Sequence, residues 1–240
     1  MKIKTLVTTV ALALAMGVSS VQAGRNYNPG VMPPQSHPNG KTYGEWGAVW
    51  WQWAMSFPIE VCPIEDPSGA SCGLGQLGPV WFLAGTSGDA VQRTCVVPAG
   101  KAIFFPIINI LNDYPCPDPS FGPAPGQTLE EFLTEGANWY IAHVSELTAE
   151  IDGVPLKNLY DYRGTSKLFE FTADPSQVAA DPCVTGGPQS GVADGYWIML
   201  APLKSGQHTI HFTGTWLFTL EEDGFDWTFT VDVTYFLTVQ

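Results

Sequence analysis

Residue types that catalyse reactions are sparse in this chain. It has only four histidines, and none of them lies in a known catalytic context. His208 and His211 lie three apart on a predicted strand, so they point to opposite faces and cannot share a metal. His211 lies diagonal to Asp232 across a predicted hairpin, which makes the pair a candidate ligand-binding or proton-transfer site. The plainer interpretation is a surface pair of small energetic value.

The acidic residues suggest two calcium sites, and calcium is the only cofactor that the sequence suggests. Glu221, Asp223 and Asp226 crowd one predicted turn, and calcium takes several carboxylate oxygens. They do not follow the EF-hand pattern, so a solvated turn is the alternative. The second candidate comprises three aspartates in two cysteine-containing loops: Asp113, Asp118 and Asp181.

Glycoside hydrolysis needs two carboxylates facing each other across a sugar. With 23 acidic residues, some pair will always be close, so counting cannot identify a catalytic pair. Asn109 ends an apolar run and could position a ligand, although an asparagine there more often hydrogen-bonds loop backbone.

Residues 42–57 predict an amphipathic helix. Thr42 and Glu45 have the spacing of a capping box. The aromatic stripe at helical spacing is predicted to pack inward on the central sheet: Trp46, Trp50, Trp53 and Phe57. Trp51 is off this stripe, so it is the candidate for an exposed ring that stacks on a sugar.

Export is predicted from the first residues. Residues 1–23 have a basic start, an apolar stretch and a small-residue cleavage pattern, as in a signal peptide. No later segment is long enough to span a membrane. The mature chain then consists of an extended arm (24–41) and a single domain (42–240), and it is secreted or periplasmic.

The charge of the mature chain limits its partners. Without Lys2 and Lys4 it has 8 basic and 23 acidic residues, a net charge of −15. Nucleic acid is excluded because its affinity comes from lysine and arginine on phosphates. Cations, neutral glycans and basic protein partners remain possible. Solubility alone is a further explanation of the charge.

Five cysteines in an exported chain favour disulfides over metal ligands. Cys116 and Cys183 both lie in loops rich in proline and aspartate and could join them. Cys72 could pair with either Cys62 or Cys95. The odd number leaves one thiol free.

Nine strands and two helices are predicted along the chain. The second helix spans residues 128–144, with another capping box at Thr128 and Glu131. Residues 101–110 are apolar on both faces, as in a buried strand, and Pro106 predicts a bulge there. The strands are 80–84, 91–97, 101–110, 147–151, 154–156, 167–172, 194–203, 207–220 and 225–239.

The last two strands predict their own register. Each alternates for many residues, and one alignment gives five pairs in which an apolar residue lies opposite another. A slip of one residue would destroy this match. The apolar pairs are Leu220 with Phe225, Phe218 with Trp227, Trp216 with Phe229, Phe212 with Val233, and Ile210 with Tyr235. Thr213 with Asp232, Thr215 with Thr230 and His211 with Thr234 form a solvent face.

Short turns between strands, without a βαβ rhythm, predict an all-β fold. The expected architecture is a two-sheet antiparallel sandwich, jelly-roll or immunoglobulin-like, with two short peripheral helices.

Three stretches resemble an uncharacterised family of exported bacterial proteins: GPVWFLAGT, VPAGKAIFFPIIN and DGYWIMLAPLKSGQHTIHF. The helix with WWQW resembles it too. The resemblance implies export and a shared fold but no activity. The family pattern has one cysteine before GQxGPVWFLAG and one before VPAGK, which implies a Cys72–Cys95 disulfide and a free Cys62.

These observations favour a non-enzymatic protein for binding or surface interaction, with a glycan or a protein as partner. There are two alternatives. One is an extracellular polymer-active enzyme, namely a carboxylate-based hydrolase or lyase, and the other is a matrix or structural protein that assembles through sheet edges. Two carboxylates of raised pKa facing Trp51 would favour the enzyme. A long, uncovered edge strand would favour assembly.

Overall fold

The computed structural model describes residue 28 and residues 30–240, so the predicted signal peptide lies outside the described residues. All nine predicted strands are present, with ends shifted by a few residues. They are β1 (Val80–Phe82), β2 (Ala90–Val97), β3 (Ala102–Tyr114), β4 (Val144–Ile151), β5 (Val154–Pro155), β6 (Phe169–Thr172), β7 (Pro188–Leu200), β8 (Gly206–Phe218) and β9 (Trp227–Val239).

The helices within the described residues number three rather than two: α1 (Tyr43–Met55), α2 (Leu129–Ala142) and α3 (Leu220–Asp223). Both predicted capping boxes are confirmed. The Thr42 hydroxyl accepts from the Glu45 amide at 3.1 Å, and the Glu45 carboxylate accepts from the Thr42 amide at 2.7 Å. Thr128 and Glu131 form the same pair of bonds at α2. Each box satisfies backbone N–H groups at a helix start, where no helical partner exists.

The strands form two sheets, and the prediction of purely antiparallel sheets was wrong. Sheet A has the order β1-β3-β7-β6, and sheet B has the order β2-β9-β8-β4-β5. β1 runs parallel to β3, and β2 runs parallel to β9. Parallel neighbours need a crossover connection, and β2 provides it for β1 and β3, because the chain passes through sheet B between them.

α1 and sheet B cover opposite faces of sheet A. On one face, the rings of Phe104 and Trp197 stack at 5.2 Å, and Trp50 of α1 lies 5.8 Å from Trp197. On the other, Phe105 of β3 stacks on Phe212 of β8 at 4.9 Å. Trp50 is 1% exposed, so α1 is an inner layer of the fold rather than a peripheral helix.

The predicted register of the C-terminal hairpin is confirmed throughout β8 and β9. Phe218 faces Trp227, Phe212 faces Val233, and Thr213 faces Asp232. Only the pair at the tip differs, because α3 and its flanking turn occupy the residues between the two strands.

The predicted bulge at Pro106 is also confirmed, because the pairing of β3 with β7 shifts between Pro106 and Ile108. β1 pairs only with residues 102–104 of β3. From Phe105 onward, no described strand pairs with that edge of β3, which is therefore open.

The described part of the predicted arm packs against the domain. Val31 forms a bridge with Leu200, and the Met32 amide donates to the Met199 carbonyl at 2.8 Å. β6 pairs only with the first residues of β7, and Val31 and Met32 pair with the same edge near the other end of β7.

Both disulfides implied earlier are present, Cys72–Cys95 and Cys116–Cys183. Cys62 is free and buried. No helix within the described residues combines the length and the apolarity needed to cross a membrane.

Candidate functional site

The open edge of β3 borders a cavity of about 840 Å³. Its walls come from α1, α2, β3, the tip of the β8–β9 hairpin and the loops after α1, β1, β3 and β6. Protein pockets that bind small molecules typically measure about 300–1,000 Å³. We call this space the edge cavity.

One face of β3 contributes a row of three side chains to the edge cavity: Asn109, Leu111 and Asp113. Alternate residues of a strand share a face, which is why these three align. Trp51 of α1 also lines the cavity and packs with Met55 against the cluster that contains Leu111. Trp51 is therefore a partly buried cavity residue and not the exposed surface ring that was predicted.

The opposite wall is aromatic. It is formed by Trp139 and Tyr140 of α2, Trp216 of β8 and Phe229 of β9. Tyr140 and Trp216 have ring centres 5.7 Å apart, and Trp216 lies 5.2 Å from Phe229. The tip of the β8–β9 hairpin and the C-terminal half of α2 thus contribute aromatic rings to the cavity.

Three donors at the cavity have no partner. Among the described residues, four buried side-chain nitrogens lack a hydrogen bond: Trp51 Nε1, Trp81 Nε1, Asn109 Nδ2 and Trp216 Nε1. All but Trp81 line the edge cavity. An unsatisfied buried donor costs about 1–3 kcal/mol. A bound molecule with acceptor oxygens could supply these partners after a small side-chain rotation, because each nitrogen has less than 1 Å² of accessible surface.

Two aspartates form the acidic end of the cavity. Asp113 is 4% exposed, and Asp181 in the loop before β7 is partly buried. Burial and, to a smaller extent, the neighbouring Asp181 charge raise the pKa of Asp113 to about 7. The Gln189 amide opposes this by donating to Asp113 Oδ2 at 2.7 Å. The surroundings of Asp113 therefore disfavour its ionised form.

The second predicted calcium set is only partly assembled. Asp113, Asp181 and Cys183 have candidate ligand atoms within 4.8 Å of one another. Cys183 is bonded to Cys116, so its sulfur is not a thiolate. Asp118 is exposed and accepts instead from Ser120. Two carboxylates remain, whereas calcium takes six to eight oxygens.

The first predicted calcium set lies at the α3 turn, outside the edge cavity. Asp223 accepts from the Thr219 amide at 2.9 Å and contacts His143 Nε2 at 2.8 Å. Asp226 accepts from the Leu220 amide at 2.7 Å. The single clustered group among the described residues does not include them or Glu221. Two of the three carboxylates that were predicted to bind calcium therefore hydrogen-bond to the backbone of the turn instead.

The predicted His211–Asp232 contact is present, with 3.0 Å between Nε2 and Oδ1. Both side chains are about two-fifths exposed, at 41% and 42%. They lie on the outer face of sheet B and do not line the edge cavity. The structure therefore does not bring this pair together with Trp51.

Sequence reasoning missed the whole α2 and β8 side of the cavity, namely Glu135, Trp139, Tyr140 and Trp216 as ligand-facing residues. The available signal was Gly136 within the helix, because a glycine inside a helix often marks a close approach. A Cβ at Gly136 would lie 2.2 Å from Asn112 Nδ2. Glycine at this position leaves room for the Asn112 amide, whose Nδ2 donates to the Leu133 carbonyl of α2 at 2.9 Å.

Comparison with protein-family models, curated proteins and solved structures finds no match to this chain.

Proposed function

We propose that this protein is exported and binds a carbohydrate in the edge cavity. The observation that carries the proposal is the concentration of three unpaired buried donors, Trp51 Nε1, Asn109 Nδ2 and Trp216 Nε1, around one aromatic-walled space. Sugar hydroxyl and ring oxygens accept hydrogen bonds, and the C–H faces of sugar rings pack on aromatic rings. Ligand sites generally combine an apolar lining with a few placed polar groups, as here.

Export is supported by the two disulfides, since such bonds persist in oxidising compartments. Face-to-face contact of the two sheets through Phe105 and Phe212 supports a sandwich, and we keep the jelly-roll or immunoglobulin-like class as a proposal. Assembly through sheet edges is disfavoured at β2, because its Thr94 amide already donates to the Ser68 carbonyl.

The test is calorimetric titration of the mature protein with a panel of soluble oligosaccharides. The diagnostic variant is Trp51→Phe, which keeps a ring and removes the unpaired N–H. One net hydrogen bond is worth about 1 kcal/mol, so affinity should fall roughly five-fold. Trp81→Phe is the matched control, because it removes an unpaired indole N–H that lies outside the cavity.

Equal losses in the two variants would place the sugar elsewhere on the protein. Absence of binding by every sugar in the panel would refute the carbohydrate proposal.

A second candidate function, hydrolysis of the bound glycan, rests on Asp113 and Asp181. A carboxyl whose pKa is about 7 can donate a proton to a leaving group near neutral pH. Its close neighbour Asp181 would then act as the nucleophile, because retaining glycosidases hold their carboxyls about 5–5.5 Å apart. Product analysis after long incubation tests this: Asp113→Asn should abolish any cleavage, and intact sugar with the wild-type protein would reject the hydrolase.

A further inference from the structure

The lining of the edge cavity carries charge of one sign. The described residues that line it include four acidic side chains and no lysine, arginine or histidine. The carboxylates are Glu65, Asp113, Glu135 and Asp181. Low-dielectric walls lined by one sign of charge concentrate ligands of the opposite sign. An anionic sugar would meet no compensating cation there.

The two exposed carboxylates of the lining already accept hydrogen bonds. The other two, Asp113 and Asp181, which we call the inner pair, lie next to each other. Glu65 accepts from the Ser87 hydroxyl at 2.8 Å, and Glu135 accepts from the Gln127 amide at 2.7 Å. Asp113 and Asp181 lie together without a cation, and their mutual repulsion helps to raise the Asp113 pKa. A positive group placed between them would relieve that repulsion.

The spacing of the inner pair suits an ammonium group. An oxygen of each aspartate lies within 4.8 Å of the other. Charge-assisted N–H···O bonds span about 2.7–2.9 Å, so one nitrogen can reach both oxygens at once. An ammonium carries three donors, which is enough for both carboxylates.

Resting on the proposed carbohydrate binding, we propose that the ligand is an amino sugar whose free, protonated amine lies between Asp113 and Asp181. The hydroxyls of the same ligand accept from the unpaired donors. Trp216, which is 6% exposed and has its Nε1 unpaired, lies in the aromatic wall and supplies one of them. The two kinds of group on the ligand thus match the two kinds of group on the cavity.

The length of the row on β3 sets the size of the ligand. Asn109 and Asp113 are four residues apart on one strand, which is roughly 13 Å at the usual rise per residue. One sugar ring is too short to contact both. The ligand therefore has at least two rings, with the amine on the ring nearest Asp113.

The test compares three disaccharides of one skeleton, the β-1,4-linked dimers of glucosamine, N-acetylglucosamine and glucose. They differ only in carrying an amine, an acetamide or a hydroxyl at carbon 2. Titration at pH 7 and physiological salt should show the glucosamine dimer binding at least ten-fold more tightly than either neutral dimer. Moderate salt screens the general attraction of this acidic protein for cations.

Variants assign the preference to the inner pair. Asp113→Asn and Asp181→Asn should each reduce binding of the glucosamine dimer by ten-fold or more, a larger loss than either variant shows for the glucose dimer, so that the preference for the amine falls. Asp118→Asn is the matched control, because that carboxylate is exposed and outside the cavity. Its removal should change neither affinity. Asp181→Asn alters a partly buried residue, so it remains informative if Asp113→Asn folds poorly.

The outcomes separate the two proposals. Neutral dimers that bind as tightly as the amine would overturn the amino-sugar assignment and leave carbohydrate binding standing. If no dimer binds, the amino-sugar assignment fails, and the oligosaccharide panel decides whether carbohydrate binding stands. Calcium binding that depends on Asp113 and Asp181 and displaces the amine would assign the pair to a metal and overturn this inference.

Discussion

Asp113 pairs burial with an acidic neighbour, and both effects act against its ionised form. The side chain is 4% exposed, its pKa is raised to about 7, and the Gln189 amide is the one side-chain donor that favours its charge. A structural aspartate at this position would be expected to face a cation. In the amino-sugar proposal, the ammonium group of the ligand is that cation.

Asp113 should make the protein less stable as the pH rises. Its folded-state pKa is above the ordinary value of about 3.9, so between pH 4 and pH 7 the native state holds more protons than the unfolded chain. Wild-type stability should then fall across this range, by on the order of 1.4 kcal/mol for each pH unit. Asp113→Asn should lack this slope. Urea denaturation of both proteins from pH 5 to pH 7 measures it.

The control for this slope is Asp118→Asn, because the pKa of that exposed carboxylate is lowered by hydrogen bonds from Ser120. Its variant should run parallel to the wild type between pH 5 and pH 7. Parallel curves for the wild type and Asp113→Asn would show that Asp113 titrates normally.

At the scale of elements, the contact between sheets A and B depends on Gly214 of β8. A Cβ there would lie 2.7 Å from the Ile108 Cβ and 2.9 Å from the Ile107 carbonyl oxygen. Gly214→Ala should therefore push the bulged part of β3 away from sheet B, at a cost of about 1–3 kcal/mol in unfolding free energy.

The matched control is Gly73→Ala, since a Cβ at Gly73 would meet nothing within 4 Å and its φ lies outside the left-handed region. We expect a change within about 0.5 kcal/mol for this control. Denaturant titration compares the two, and a Gly214→Ala loss no larger than the control would contradict the tight sheet contact.

Local patterns made most elements predictable. Capping residues fixed the starts of α1 and α2, and alternation fixed the register of β8 and β9, because a slip would expose every core residue. The parallel pairs were not predictable, because alternation shows which face is buried and not which strand is adjacent. Sequence order favoured β1, β2 and β3 as neighbours, whereas β2 joins the other sheet.

The site shows the same division. The sequence suggested four of its residues for separate reasons. Trp51 was predicted as an exposed ring, Asn109 as the end of a strand, and Asp113 and Asp181 as acidic residues in loops. Their convergence needs the open edge of β3 and the course of the loop that holds Cys183, which are long-range features. His211 and Asp232 met as predicted because a single hairpin contains both.

At the scale of the whole molecule, the two disulfides have different tasks. Cys72–Cys95 ties the loop after α1 to β2, and Cys116–Cys183 holds the segment containing Asp181 beside the end of β3. Replacing either pair with alanine should cost about 2–5 kcal/mol. Only loss of Cys116–Cys183 should also weaken ligand affinity, because Cys183 lines the edge cavity.

Thermal unfolding and titration of the two double variants separate these effects. The expected result is two destabilised proteins, of which the one without Cys72–Cys95 still binds normally below its melting temperature. Weaker binding in both, or in neither, would show that the second bridge does not hold the site.

The free thiol of Cys62 can be used to measure how often the edge cavity opens. Its thiol is the one unpaired sulfhydryl among the five cysteines, it is 1% exposed, and it lines the same cavity as Trp51. A maleimide dye can reach it only while the surrounding walls part. The rate of labelling therefore measures how often the edge cavity opens. A bound ligand that holds the walls together should slow the labelling of the wild-type protein.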